Sequence, residues 1–342
     1  MKKICARSIK LARPVLAIFC LLIILVGCER KDPDPAPQDK MQVATTINIV
    51  GDWVRVVGGD KVNVDSLVST SGDPHTFEPG AREITKLADA KAIFAIGLGL
   101  EASWLNKLIE NASKDSSSII HLAESVDPIH WEDHDKEAGH SEHKDEAEHK
   151  HEEDHDKEAG HSEHKHGEED PHFWMDPIRV QKAVLKIRDV LTLLDPENST
   201  YYSENANSYN STLESLDVWA TGELSKVPQS KRHLVTGHEN LGYFANRYQF
   251  EVIGSLIPAL STEKEPTPKE IANLVETINE HQITAIFTEV SESSKLGQTI
   301  STETGAGITK INSSSLGSKG SETDSYVKFF ETIVNTIVKA LS

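Results

Sequence analysis

Three histidines that lie far apart in the chain each occur in a short, stiff segment. His75 lies in the sequence SGDPHTFEP, His172 in DPHFWMDP, and His238 in TGHEN. A neutral imidazole is a good ligand for Zn²⁺, and three imidazoles form most of a tetrahedral zinc shell with Zn–N distances of about 2.0–2.1 Å. Any one of these histidines alone would more often be a structural or surface residue. Together they predict a zinc site.

The strands predicted around these segments explain how the histidines can meet. His75 follows a strand that we expect to end at Val68, and His238 follows one that we expect to end at Thr236. His172 directly precedes a predicted helix. In open α/β sheets, ligands bind beyond the carboxyl ends of parallel strands. His75 and His238 therefore lie where such sheets bind ligands, and the three histidines come from three separate segments.

Short β-branched runs alternate with amphipathic runs from Gln42 onward, which is typical of α/β units around parallel sheets. Strands are predicted at 43–50, 62–68, 92–96 and 118–121, and again at 234–236, 250–256, 285–289 and 308–311. Helices are predicted at 53–57, 82–88 and 101–113, and again at 241–248, 268–281, 295–303 and 324–341. The two halves repeat each other.

Residues 197–226 have apolar side chains three or four positions apart, which predicts one long helix of about 45 Å at 1.5 Å per residue. The expected fold class is α/β, with two similar domains whose parallel sheets are flanked by helices and which a long rigid helix joins. The predicted ranges are 42–195 for the N-terminal domain, which carries an insert at 130–170, 196–227 for the linking helix, and 228–342 for the C-terminal domain.

The insert is rich in histidine and acid. Eleven of the 16 histidines lie between His130 and His172, and the sequence EDHDKEAGHSEHK occurs twice, at 132–144 and 153–165. Residues 132–170 carry 17 acids and five lysines with almost no large apolar side chain, so we expect a mobile loop that cannot fold alone.

Imidazoles interleaved with carboxylates make many interchangeable weak sites for Zn²⁺, Cu²⁺ or Ni²⁺. The predicted auxiliary weak metal sites are His134, His140, His143, His149, His151, His155, His161, His164 and His166. A solvated charge run and a pH sensor are the alternatives, the latter because histidine titrates near pH 6.5. Ordering such a loop costs conformational entropy, so we do not expect it to supply the tight site.

Net charge excludes one class of partner. The chain has 35 basic and 54 acidic residues, a formal charge of −19, whereas nucleic-acid recognition needs a basic surface. We expect no nucleic-acid partner and favour cationic ligands.

Residues 1–27 form a signal segment with a basic head and an uninterrupted apolar run of 13 residues, too short for a membrane span of about 20 residues. The run ends in LVGC, which resembles the bacterial lipoprotein signal, so Cys28 is the predicted lipidation site and anchors the chain to a lipid bilayer. A plain signal peptide with an incidental cysteine is the alternative. Residues 28–41 are expected to be the lipid anchor and a flexible tether. The predicted location is extracytoplasmic, on a bacterial membrane, in the periplasm or at the cell surface.

The ordered set of motifs resembles the metal-binding class of ABC-transporter solute-binding lipoproteins, in its zinc-uptake, adhesin-like branch. The matching stretches are SGDPHTFEP, DPHFWMDP, TGH followed by GYFA, EPTPK and TDSY, and they span nearly the whole mature chain. The resemblance implies two α/β domains joined by a long rigid helix, with the metal in the interdomain cleft.

The resemblance also bears on the choice of metal. Manganese-binding members have two His, one Glu and one Asp, an oxygen-rich set that suits Mn²⁺. Here the third position is His238, and the aspartate position falls at about Ser314, which favours zinc. The fourth ligand stays open: water, a carboxylate from Glu78, Glu239 or Glu289, or a histidine of the insert.

We therefore expect a monomeric, non-enzymatic receptor that captures Zn²⁺ and delivers it to an ABC permease. The alternatives are a manganese receptor of the same family and a His-rich metal buffer or adhesin. A zinc hydrolase is less consistent with the sequence, which has no HExxH motif within a predicted helix, no GxSxG turn and no carboxylate pair placed for acid-base catalysis.

Overall fold

The structure, a computed structural model, describes residues 40–70, 72–130, 169–290 and 295–342. The predicted lipidation site Cys28, the tether before Lys40 and the nine auxiliary histidines of the insert lie outside the described residues. Within the ranges described, no helix is long and apolar enough to span a membrane.

The N-terminal half contains a parallel four-stranded sheet with the strand order β2-β1-β3-β4. Its elements are β1 Met41–Thr45, α1 Asn48–Gly58, β2 Val62–Ser66, α2 Ala81–Asp89, β3 Ala92–Ala95, α3 Leu105–Asn111 and β4 Ile119–His121. The prediction of a strand over 43–50 was wrong at its end. The chain is already helical at Asn48, and Val50, Val54 and Val57 are buried along one helical face, so burial outweighed their preference for strands.

Two helices follow the first sheet along the chain. The helix predicted after His172 is α4 (Pro177–Leu194), and it begins after Asp176, whose carboxylate accepts the Ile178 N–H at 2.9 Å and caps the helix. The long helix predicted at 197–226 is α5 (Ser199–Leu224), 26 residues in length, or about 39 Å. It packs against α1 and also against α9, the last helix of the chain, and so contacts both halves.

The C-terminal half repeats the first in strand order, β6-β5-β7-β8, again with parallel strands. Its elements are β5 His233–His238, α6 Gly242–Tyr248, β6 Glu251–Ile257, α7 Pro268–Glu280, β7 Ala285–Glu289, α8 Lys295–Thr304, β8 Gly307–Ile311 and α9 Tyr326–Leu341. The predicted fold class, two similar α/β units with helix-flanked parallel sheets, is confirmed. The exact domain boundaries given above stay a prediction.

One apolar core connects the two halves. Trp53 of α1 contacts Phe173 and Tyr326, with ring centroids 5.9 Å and 5.6 Å away, and all three side chains are fully buried. Tyr326 also donates its hydroxyl to the Trp174 carbonyl at 2.7 Å and its N–H to the Asp52 carboxylate at 2.9 Å. The start of α9 is therefore fastened to the N-terminal half, directly behind His172.

We predict that Trp53→Ala lowers the free energy of unfolding by about 3–5 kcal/mol, because it leaves a large cavity between the halves. Urea denaturation followed by circular dichroism measures this. Val218→Ala on α5, whose side chain is 68% exposed, is the control and should stay within about 0.5 kcal/mol of the wild type. A loss below about 1 kcal/mol for Trp53→Ala would contradict the shared core.

Candidate metal centre

The structure brings His75, His172 and His238 together. One ring nitrogen from each lies within 4.8 Å of the other two, and the ring centroids are 5.3–5.5 Å apart. All three side chains are at most 4% exposed. His75 belongs to the loop after β2, His172 precedes α4, and His238 is the last residue of β5 rather than the second residue after it. The N-terminal half thus contributes two imidazoles and the C-terminal half contributes one.

The spacing of the nitrogens suits a tetrahedral ion. His75 Nε2 and His172 Nε2 are 3.3 Å apart. Two nitrogens bound to one tetrahedral zinc, each at about 2.0–2.1 Å, stand about 3.3–3.4 Å from each other. This pair is therefore already placed for a shared ion. The same distance lets one ring donate a hydrogen bond to the other when no ion is bound.

Asp170 fixes the orientation of His172. Its Oδ1 accepts the backbone N–H of His172 at 2.8 Å and lies 2.8 Å from the ring Nδ1. Because this Oδ1 already accepts the backbone N–H, we treat it as an acceptor for the ring as well and assign the ring hydrogen to Nδ1, which leaves the lone pair on Nε2 facing His75. A carboxylate behind a ligating histidine fixes its tautomer and raises its basicity.

Burial raises the pKa of Asp170 to about 7. The hydrogen bond from the His172 N–H lowers this pKa, but by less than burial raises it. Two contacts from α6 surround Asp170. Tyr243 donates its hydroxyl to the Asp170 carbonyl at 2.6 Å. A Cβ on Gly242 would lie 2.8 Å from Asp170 Oδ2, so only glycine leaves room for the carboxylate at this position.

The loop that carries His75 is held by hydrogen bonds although it has no regular secondary structure. Asp73 Oδ1 accepts the His75 N–H at 2.9 Å. Ser103 Oγ donates to the His75 carbonyl at 2.5 Å, and Trp104 Nε1 donates to the Pro74 carbonyl at 2.8 Å. Three separate backbone groups around His75 are thereby fixed.

Both histidines of the N-terminal half are held in their uncharged form. Burial, and then the positive charge that His172 and His238 would carry if protonated, lowers the pKa of His75 well below its ordinary value. Burial and the charge of His238 do the same to the pKa of His172. Metal ions bind neutral imidazole, so at pH 7 neither ring has to lose a proton first.

The three predicted carboxylates lie in different surroundings. Glu78 is exposed. Glu239 and Glu289 are buried. Glu239 Oε1 accepts a hydrogen bond from the Ser255 hydroxyl at 2.7 Å, and Glu289 Oε1 accepts one from the Ser313 N–H at 2.9 Å. In the part of the chain that the structure describes, the group of metal-type ligands contains the three histidines and none of these carboxylates.

Sequence reasoning missed the supporting residues Asp73 and Asp170, although a signal was present. The tripeptide Asp-Pro-His occurs at both His75 and His172, and in both places the aspartate accepts the N–H of the histidine two residues later, at 2.9 Å and 2.8 Å. Two ligand segments thus use the same local turn. The roles of Tyr243 and Gly242 had no comparable signal because they depend on packing between the halves.

Comparison with known proteins gives one family. Residues 43–340 match the family described as zinc-uptake complex component A, periplasmic (ZnuA). Among curated relatives, the manganese ABC transporter substrate-binding lipoprotein PsaA of Streptococcus mitis is 27% identical over 336 residues, which cover 96% of this chain and 98% of the relative. The manganese-binding lipoprotein MntA of Halalkalibacterium halodurans is 26% identical over 344 residues, with 100% of both chains covered.

Among solved structures, the periplasmic zinc-binding protein TroA from Treponema pallidum superposes with a TM-score of 0.72 at 23% identity. The match covers 89% of this chain and 100% of that one. At this identity the likeness supports the fold alone. The names of these similar proteins refer to both zinc and manganese, so the ion has to be inferred from the site itself.

We predict that Asp170→Asn weakens metal binding about 10–100-fold, because the neutral amide no longer supports the basicity of His172. Calorimetric titration of the metal-free protein measures the change. Asp89→Asn, on the exposed side of α2, is the control for loss of a single charge and should bind as the wild type does. Equal affinities for the two variants would refute this role of Asp170.

Proposed function

We propose that this chain, which belongs to the ZnuA family of zinc-uptake components, captures Zn²⁺ and delivers it to an ABC permease. Membership makes the chain a metal-binding component of an ABC transporter, lipid-anchored outside the cytoplasm, and not an enzyme. Beyond family membership, we infer which ion is bound, which residues are its ligands, that the chain is anchored through Cys28, and that it is a monomer.

The observation that carries the zinc proposal is the buried group of three imidazoles. Zn²⁺ favours nitrogen ligands in a four-coordinate tetrahedral shell, whereas Mn²⁺ favours more oxygen ligands in an octahedral shell. His75 and His172 are uncharged and have the nitrogen spacing of a tetrahedral ion, and His238 completes a set of three nitrogens. Such a set suits zinc better than manganese.

The surroundings of Glu289 support the same proposal. The resemblance places the aspartate of manganese-binding members at about Ser314, where this chain has no carboxylate. The Ser313 N–H and the Ser314 hydroxyl instead donate to Oε1 of Glu289, the latter at 3.1 Å, at the end of β7, the strand that pairs with β5. We infer that water or a carboxylate such as Glu289 completes the shell.

Metal titration of the soluble chain tests the choice of ion. We expect one tight equivalent of Zn²⁺ and far weaker binding of Mn²⁺, both in residues 29–342 and in the same protein without 132–170, with extra weak zinc sites only when the insert is present. His238→Ala should abolish the tight equivalent. If Mn²⁺ binds as tightly as Zn²⁺, the protein is a manganese receptor; if the tight equivalent disappears with the insert, it is a metal buffer.

A second prediction concerns Ser314. Ser314→Asp puts a carboxylate at the position that the resemblance assigns to the manganese ligand, so we expect the affinity for Mn²⁺ relative to Zn²⁺ to rise about tenfold or more. Competition titration with both ions measures the ratio. Ser314→Asn has the same size without the charge and should leave the ratio unchanged. A ratio that rises equally in both variants would show that the missing carboxylate does not determine the ion.

A further inference from the structure

One carboxylate beside the metal centre connects the two halves of the protein. Asp73 Oδ1 accepts the backbone N–H of His75 at 2.9 Å, and Asp73 Oδ2 accepts the hydroxyl of Thr262 at 2.6 Å. Asp73 and His75 belong to the loop after β2, whereas Thr262 belongs to the loop between β6 and α7. A candidate ligand and the opposite half therefore share one carboxylate.

The loop that carries Thr262 is itself fastened to the C-terminal half. Lys264 Nζ contacts the Pro258 carbonyl at 3.3 Å and the Glu270 carboxylate at 3.0 Å. Glu270 also accepts the Thr267 N–H at 2.6 Å, and Thr267 caps α7. These contacts tie the loop on which Thr262 lies to the start of α7.

We propose that Thr262 is a positioning residue that slows the release of the bound metal. The inference rests on the proposed function, because it takes His75, His172 and His238 as the ligands. In this proposal the ion leaves when His75 separates from His238, which lies in the other half. The bond between Thr262 and Asp73 crosses the same boundary and has to break in that step.

The chemistry of this contact gives it enough strength for the role. A hydroxyl that donates to a carboxylate makes a charge-assisted hydrogen bond, stronger than one between neutral groups. The same carboxylate holds the backbone of His75, so loss of the hydroxyl frees the segment that carries this ligand. We expect association to change little, since the Thr262 hydroxyl contacts Asp73 and none of the three imidazole rings.

Stopped-flow kinetics on the full soluble chain tests the proposal. Protein loaded with one equivalent of Zn²⁺ is mixed with excess chelator, and tryptophan fluorescence reports release, because Trp174, one of five tryptophans, has its ring centroid 5.1 Å from that of His172. Thr262→Val keeps the shape and removes the hydroxyl. We expect its dissociation rate to rise about tenfold and its association rate to stay within about twofold of the wild type.

Four controls separate positioning from general damage. Thr262→Ser keeps the hydroxyl and should restore slow release, and Ser261→Ala, in the same turn, should not change it. Thr262→Val should melt as the wild type does without metal; if it does not fold, Thr262→Ala replaces it. In an Asp73→Ala background, Thr262→Val should have no further effect.

The outcomes distinguish this inference from the function on which it rests. If the wild type takes up no tight zinc equivalent, the proposed function fails. If the wild type binds zinc tightly but Thr262→Val releases it at the wild-type rate, only the role of Thr262 is overturned. A tenfold effect that persists in the Asp73→Ala background would likewise overturn it.

Discussion

Three imidazoles crowded into one buried space impose the constraint on which the rest of the structure depends. Protonation of His75 or His172 would place a charge in a buried site beside two other imidazoles, so burial and the neighbouring rings lower the pKa values of both residues. The rings would also relax apart unless their backbones were fixed. An aspartate two residues before each of these histidines supplies this support, and Asp170 additionally orients the ring of His172.

Support from one half alone would not hold the group, because His238 comes from the other sheet. The shared core therefore extends to the site: Trp174, next to the ring of His172, donates its indole N–H to the Ser313 carbonyl at 2.7 Å, and Tyr326 donates to the carbonyl of Trp174. These bonds join the segment before α4 to the C-terminal half. The hydrogen bond from Thr262 to Asp73 joins the loop of His75 to the C-terminal half in the same way. The contacts that hold the halves together therefore also position the histidines for metal binding.

Most of the fold followed from periodicity, since β7 and α5 were predicted to within two residues at each end. The error at 43–50 arose because a β-branched run suits a strand and a buried helical face equally well until the partner surface is known. Strand ends indicated which histidines could meet. The contacts of Asp170 with Tyr243 and Gly242, and of Asp73 with Thr262, depend on how the halves pack, which spacing along one chain does not encode.

Anomalous diffraction from crystals of the zinc-loaded protein, recorded on both sides of the zinc absorption edge, tests the central claim most directly. The account predicts one strong zinc peak with imidazole nitrogens of His75, His172 and His238 at about 2.0–2.1 Å. A peak that lies elsewhere, or one from which any of the three rings is absent, would contradict it.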